Sequence, residues 1–487
     1  MTKTSTNPLK QQRYLELPDS MYSLAVPATV PAPELCCLNH ALLNQWQLDA
    51  AWFESADGLA SLAGNQTNPS QSVAMAYAGH QFANWVPLLG DGRAHLLGQL
   101  QTGDGEWLDL QLKGSGRTPY SRGGDGKATL SSALREYLIS EAMAGLGIPT
   151  TRSLAVIATG EPVQREEAVA GGIVARSAKS HIRVGSFQYA AASLAQDELQ
   201  ALADYMLRHH FSDIKTTEQD RYAQLISAAS EHQAALVAQW MLVGFIHGVM
   251  NTDNMSIVGE TIDFGPCAFL DEFNPAKVFS SIDQQGRYAW NQQGSIAYWN
   301  LARFAETLLP LLSDDQDQAV EIAKQSLKTF ETRFPEHFEA GLAAKLGTSP
   351  QDPNCEALSQ ALWPLLGEQA IDFTLFFDRL TLVAAGEPEA LLLELFTDTG
   401  PAEQWLQDWR KAFSTDAGTM RQANPRLIAR NHQVEQALSD ASERDDWALF
   451  NRLAAALVNP YNVADDDLDL LVPPTEGEKV RRTFCGT

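Results

Sequence analysis

The sequence predicts an α+β chain of two lobes, the first rich in strands and the second helical, preceded by an N-terminal extension and followed by a helical C-terminal region. Three observations carry this. Residues 93–113 and 153–177 read as hairpins, helical periodicity takes over after residue 187, and the start of the chain holds Pro27, Pro31 and Pro33, which favour extended backbone.

In the first hairpin, RAHLLGQLQ and EWLDLQLK flank a TGDG turn. The second strand alternates, with Leu108, Leu110 and Leu112 on one face and Trp107, Asp109, Gln111 and Lys113 on the other. A helix is expected over 128–144, because Leu130, Leu134, Tyr137, Leu138 and Met143 recur at helical spacing and Gly145 and Gly147 precede Pro149. Glu136 lies in its middle. The second hairpin, SLAVIAT to GGIVARS, is expected to turn at Gly160, Glu161 and Pro162. Helices follow over 196–210 and 222–245, then a short strand pair, MSIV and TIDF, across Gly259 and Glu260. From residue 295 helices dominate, broken by GTSPQDP at 347–353, and acidic residues 465–475 lead into a polar tail. The resulting division is 1–70 as an irregular extension wrapping the core, 71–190 and 191–345 as the two lobes, and 346–487 as the C-terminal region.

The chain has 35 Lys and Arg against 60 Asp and Glu, a net charge of -25, whose field repels phosphate backbones and anionic lipid. Neither nucleic acid nor a membrane is expected as a partner, although a cleft that gathers cations can still take a small phosphate ligand. The longest mostly apolar stretch, 234–246, is shorter than the roughly 18 residues a span needs, and no secretory signal opens the chain, so a cytoplasmic protein is expected. The five cysteines, Cys36, Cys37, Cys267, Cys355 and Cys485, show no CxxC spacing. Burial is expected for most of them, and an accessible thiolate for Cys485 in the tail.

The stretch HGVMNTDNMSIVGETIDFG, 247–265, concentrates chemistry. Phosphoryl-type transfer needs one carboxylate to accept a hydroxyl proton and an Asn and a second Asp to hold Mg²⁺ against phosphate oxygens; Asp253, Asn254 and Asp263 supply that set. Read singly, DN is an ordinary turn and DFG a chance tripeptide. Upstream, LGDGR places Gly90 and Gly92, which permit close backbone approach to phosphate, beside Arg93; Lys113 and Glu136 follow. Alone, Lys113 reads first as a solvated edge-strand lysine and Glu136 as an exposed helix charge. Together, Gly loop, strand Lys, helix Glu, Asp-Asn and DFG stand in the order found in kinases. Between them lies KGSGRTPYSRGGDGKA, either a flexible surface loop or a ligand-hugging one, with Arg117, Arg122, Asp125, Gly126 and Lys127; Arg176 and Arg183 offer further phosphate contacts.

GDGRAHLLGQ, LQLKGSGRTPYSRGGDGKATLSSALREYL and HGVMNTDNMSIVGETIDFGPCAF together resemble the selenoprotein O family, also called the YdiU family, over nearly the whole chain. The resemblance implies a protein-kinase-like bilobal fold and a protein adenylyltransferase that binds ATP in a flipped orientation and moves AMP to Ser, Thr or Tyr hydroxyls of proteins. It implies ATP contacts at Gly90, Gly92, Arg93, Lys113, Asp125, Gly126, Arg176, Arg183 and Asp263. It further implies Asp253 as proton acceptor, Asn254 and Asp263 as ligands of Mg²⁺ or Mn²⁺, and Glu136 as partner of Lys113. Cys485, in FCGT, matches the family's C-terminal selenocysteine or cysteine, and a disulfide to Cys267 would tie the tail beside Asp263.

Asp253 and Asn254 are adjacent, whereas kinases separate the corresponding residues by four, and no HRD triplet precedes them. If ATP enters reversed, its α-phosphate occupies the place of γ, and Arg117, Arg122, Arg176 and Arg183 become candidates to meet the β and γ phosphates. The alternatives are a phosphotransferase moving the γ-phosphate and a catalytically silent nucleotide-binding scaffold.

Overall fold

The computed structural model describes residues 7–10, 12–214, 217, 220–414 and 416–484. Strand β1 (Tyr22–Leu24), β2 (Glu34–Leu38), β3 (Val73–Met75), β6 (Ala94–Gln101), β7 (Trp107–Lys113), β8 (Ala128–Thr129), β9 (Arg152–Gln164) and β10 (Ala168–Ala178) make one antiparallel sheet in the order β1-β3-β6-β7-β10-β9-β2, with β8 beside β10. A separate hairpin, β4 (Gly79–Gln81) and β5 (Asn84–Val86), leaves the sheet between β3 and β6. The start of the chain is therefore less irregular than its prolines suggest: β1 and β2 close the two ends of the sheet.

Leu108, Leu110 and Leu112 face one way, as the alternation requires, and are fully buried. What covers them is the N-terminal segment. Helices α1 (His40–Gln45), α2 (Ala50–Phe53) and α3 (Ala56–Leu62), each capped by a side chain (Asn39, Asp49, Ser55), supply Leu42, Leu43, Trp46, Trp52, Phe53 and Leu62 to a core shared with those leucines. The opposite face of β7 is not solvated either. Asp109 and Gln111 are buried there, and Lys113 is nearly so.

Helix α4 (Leu130–Gly145) begins at Thr129, whose hydroxyl accepts from Ser132 N–H, and packs against β9 and β10. Every residue from Ala133 to Met143 is buried, so its sequence carries only a blurred amphipathic stripe. The expected turn at 160–162 is not there. Strand β9 runs on to Gln164 and the turn is 165–167; Gly160 takes a left-handed φ of 72° at an irregularity within the strand. Pro162 is tolerated because β2 reaches only as far as Ala158, leaving that flank of β9 without a partner.

The second half is helical: α5 (Val184–Ser193), α6 (Gln196–His209), α7 (Arg221–Leu242), α8 (Gln293–Leu312), α9 (Gln316–Leu346), α10 (Cys355–Glu368), α11 (Phe373–Ala384), α12 (Ala390–Leu393), α13 (Gly400–Ala412), α14 (Ala417–Ala423), α15 (Asn431–Arg444) and α16 (Ala448–Leu457). The long α7, α8 and α9 pack on one another, and α15 and α16 reach back to α4. The expected MSIV–TIDF hairpin does not form. Ser256 bridges to Arg183 and Thr261 to Thr150, so both segments pair with distant chain; the local strand pair is instead β11 (Phe245–Ile246) with β12 (Ala268–Phe269). Among the described residues no helix is long and apolar enough to cross a membrane.

Candidate active site

Between the sheet and the helical half lies a cleft with a cavity volume of about 690 Å³. Its walls gather Gly90, Gly92, Arg93, Lys113, Asp125, Gly126, Arg176, Arg183, Asp253, Asn254 and Asp263, residues spread over more than 170 positions of sequence. Seven lysines and arginines line it against four aspartates, a local excess of positive charge in a chain of net charge -25.

Strand β7 ends at Lys113, whose ammonium lies 2.7 Å from Glu136 on α4 and 2.5 Å from Asp263. Arg176 on β10 closes the same group, 2.6 Å from Glu136 and 2.8 Å from Asp263, and its other nitrogens donate to the side-chain Oε1 of Gln111 at 2.7 and 2.9 Å. Two cations and two carboxylates thus form a closed square, with Glu136 and Arg176 buried and Lys113 and Asp263 partly open to the cleft. Burial opposes ionisation of both acids, yet Lys113 and Arg176 outweigh it, holding Asp263 well below the usual carboxylate range and lowering Glu136 as well. Asp263 has a φ of 67°, in the left-handed region that few non-glycine residues occupy and that Asp enters more readily than most. The segment after it is tied to α4 by Arg135, which donates to the carbonyls of Gly265 (3.0 Å) and Cys267 (2.7 Å).

Arg183 is buried with its guanidinium over the Tyr77 ring, 4.6 Å from the centroid, and donates to the Asp253 carbonyl at 2.9 Å and to Asp263 at 3.5 Å. Its Nη2 is buried with no hydrogen-bond partner among the described residues. A guanidinium that lines a cationic cleft and is not fully paired within the protein suits an anionic ligand.

Asp253 and Asn254 sit in the single 3₁₀ turn Thr252–Asn254. Burial pushes the Asp253 carboxyl up to about 6, against the pull of Arg183. Asn254 donates its amide N–H to Val249 O at 2.9 Å, which leaves Oδ1 as its remaining hard-oxygen donor. Buried His247 bonds the Ile262 carbonyl at 2.9 Å and so joins the loop's start to the residue before Asp263.

Gly90 and Gly126 are required by the walls. A Cβ on Gly90 (φ 65°) would lie 2.3 Å from the Tyr120 ring, and one on Gly126 (φ 69°) 2.1 Å from the Gly116 carbonyl. The glycines thereby let the loop over 114–128 lie against residues 90–92, where Thr118 donates to the Asp91 carbonyl at 2.6 Å.

Not every expectation is met. Arg117 donates to the carbonyls of Gly123 (2.9 Å) and Gly124 (2.7 Å), bracing its own loop instead of lining the cleft. Glu136 is the partner of Lys113, as expected, and reaches the cleft through Lys113 and Arg176. Cys267 is buried, its thiol directed at Phe264 O, while Cys485 and any disulfide from it lie outside the described residues. Sequence reasoning missed Arg165, which pairs with Asp125 at 2.9 Å, and Gln81, which donates to Asp253 at 2.5 Å. A turn shifted to 165–167 would have pointed to the first; nothing local marks the second.

The family model for "Protein adenylyltransferase SelO" matches residues 7–458. A protein named "Protein nucleotidyltransferase YdiU" from Shewanella denitrificans is 50% identical over 99% of this chain and 98% of its own length. Proteins of the same name from Rhizobium rhizogenes and Brevibacillus brevis are each 48% identical over 97% of this chain and 96% of theirs. The chain therefore belongs to the SelO, or YdiU, family and is an enzyme of the nucleotidyltransferase class.

Proposed function

We propose that the cleft binds ATP with a divalent cation and transfers AMP to a Ser, Thr or Tyr hydroxyl of a protein, releasing pyrophosphate. The observation that carries this is the cationic cleft in which Arg183 reaches the Asp253 carbonyl and the Asp263 carboxylate through Nη1, with Asn254 on the same wall and Nη2 unpaired among the described residues. In this reading residues 71–190 form the nucleotide-binding lobe and 191–345 the catalytic lobe of a kinase-like pair, with 1–70 bracing the first and 346–487 the second.

Among the described residues no three acidic, His or Cys side chains gather as a metal cage. The donor set fits Mg²⁺ or Mn²⁺ held by the Asn254 amide oxygen and the Asp263 carboxylate, with phosphate oxygens and water completing the shell. Such an ion supplies charge neutralisation on the phosphates. The chain does the rest. Arg183 and Lys113 hold phosphate oxygens, and Asp253 accepts the proton of the attacking hydroxyl. The hydroxyl oxygen bonds the α-phosphorus as the bond to the bridging oxygen breaks and pyrophosphate leaves. A carboxyl near 6 is mostly ionised at neutral pH, yet basic enough to take that proton.

A flipped nucleotide is favoured by Arg93, Arg122, Lys127 and Arg165, which line the same cleft from the loop and hairpin segments of the sheet half. Cations there suit β and γ phosphates better than an adenine ring. The Lys113–Glu136 pair is the observation that favours the second reading, γ-phosphate transfer in the kinase sense. Incubation with ATP labelled at the α or γ phosphorus distinguishes the two by which label becomes protein-bound.

A further inference from the structure

The β4–β5 hairpin has a two-residue turn, Phe82 (φ 49°) and Ala83 (φ 66°), with Gln81 paired to Asn84 across it. Both turn residues are left-handed although neither is Gly, Asn or Asp, the residues such a turn normally recruits. What holds the hairpin is the loop that carries Asp253. His80 N–H donates to Thr252 Oγ1 at 2.8 Å and Phe82 N–H to Asn251 Oδ1 at 2.9 Å. The Gln81 side chain is thereby delivered to Asp253.

The direction of the side-chain hydrogen bonds is fixed by a backbone group. Phe82 N–H can only donate, so the Asn251 atom facing it is the oxygen, which also accepts from Tyr288 O–H at 2.7 Å. Asn251 must then turn its amide nitrogen to Gln81, donating to Oε1 at 3.0 Å. Gln81 is left with its own nitrogen toward Asp253 and donates to Oδ1 at 2.5 Å. Tyr288, Asn251, Gln81 and Asp253 form one polarised chain in which no amide can be flipped without setting two donors or two acceptors against each other.

We propose that Gln81 is a positioning residue for the transfer reaction: it occupies Oδ1 of Asp253 and turns Oδ2 toward the acceptor hydroxyl. Oδ2 takes the hydroxyl proton as the oxygen attacks the α-phosphorus and pyrophosphate departs. This rests on the AMP-transfer reading. Gln81 does not touch the reacting atoms; it sets the angle from which Asp253 meets them.

Two variants test the chain. Gln81→Leu removes both of its side-chain hydrogen bonds, and Gln81→Glu keeps the acceptor for Asn251 but sets a carboxylate against Asp253. Transfer from α-labelled ATP is measured into the protein itself and into casein as a general acceptor. The expected result is kcat lower by about 10- to 100-fold in both, with KM for ATP within about twofold and an unchanged melting temperature. An unchanged kcat, or kcat and KM for ATP failing together, overturns the proposal. The second arm needs no turnover: a crystal structure of Gln81→Leu is expected to show the Asp253 carboxylate rotated, and an unmoved carboxylate overturns the proposal. Wild-type protein that transfers no α label contradicts the AMP-transfer reading instead, and the crystallographic arm then decides on Gln81 by itself.

Discussion

Lys113 at the end of β7 and Glu136 in the middle of α4 stand 2.7 Å apart, and Arg176 and Asp263 complete the square around them. Within the square two cations balance two carboxylates, and Glu136 and Arg176 are buried. Removing one carboxylate strands a cation, and a broken buried pair costs about 3–5 kcal/mol. Glu136→Ala is therefore expected to lower unfolding free energy by that order in urea titration, with transfer activity lost as Lys113 and Arg176 crowd Asp263. A variant as stable as wild type would contradict the arrangement.

Gly90 offers a cleaner probe of the cleft wall. An added Cβ would meet the Tyr120 ring at 2.3 Å in a backbone already left-handed. Gly90→Ala should cost more than about 1 kcal/mol and raise KM for ATP as the loop over 114–128 is displaced. Gly477→Ala, where nothing lies within 4 Å and the backbone is ordinary, serves as the neutral control. Thermal melts and ATP titration read both.

The N-terminal segment is expected to be indispensable to the sheet. Phe53 is fully buried in the core that covers Leu108, Leu110 and Leu112. Phe53→Ala should destabilise by about 3–5 kcal/mol. Deleting residues 1–63 bares that leucine face and should abolish soluble, cooperatively melting protein; a truncated chain with a normal melt would show the segment to be only an appendage.

Glu260 makes stability depend on pH. Burial pushes its carboxyl up to about 8 from the ordinary 4.5, with the Lys179 N–H at 3.0 Å opposing. Between those values the folded chain keeps a proton that the unfolded chain has lost, so this contribution falls as pH rises, by on the order of a few kcal/mol. Glu260→Gln, which can still accept from Lys179, should melt close to wild type at pH 5 and above it at pH 8. Parallel curves at both pH values would remove Glu260 as the cause.

The alternation in β7 made the leucine face legible from local spacing, and the order of Gly loop, lysine, glutamate and aspartates, with the family resemblance, made most of the cleft wall legible. What escaped rests on pairing over distance. Ser256 and Thr261 look like neighbouring strands until their hydrogen bonds are taken by Arg183 and Thr150. Gln81 meets Asp253 across a sequence separation of 172, and no pattern within either segment marks it. Helix α4 was found from its leucines and Glu136 was expected beside Lys113, yet nothing in the helix's sequence marked Arg176 as the second cation that Glu136 meets.

The most direct test of the central claim is protein-bound label after incubation of wild type and Asp263→Ala with ATP carrying either α or γ label, with Mg²⁺ or Mn²⁺. Asp263 lies at the centre of three cations, so its loss should lower transfer by orders of magnitude. The expected result is label from the α position alone, absent in Asp263→Ala; label from the γ position alone would contradict AMP transfer and assign the cleft to phosphate transfer.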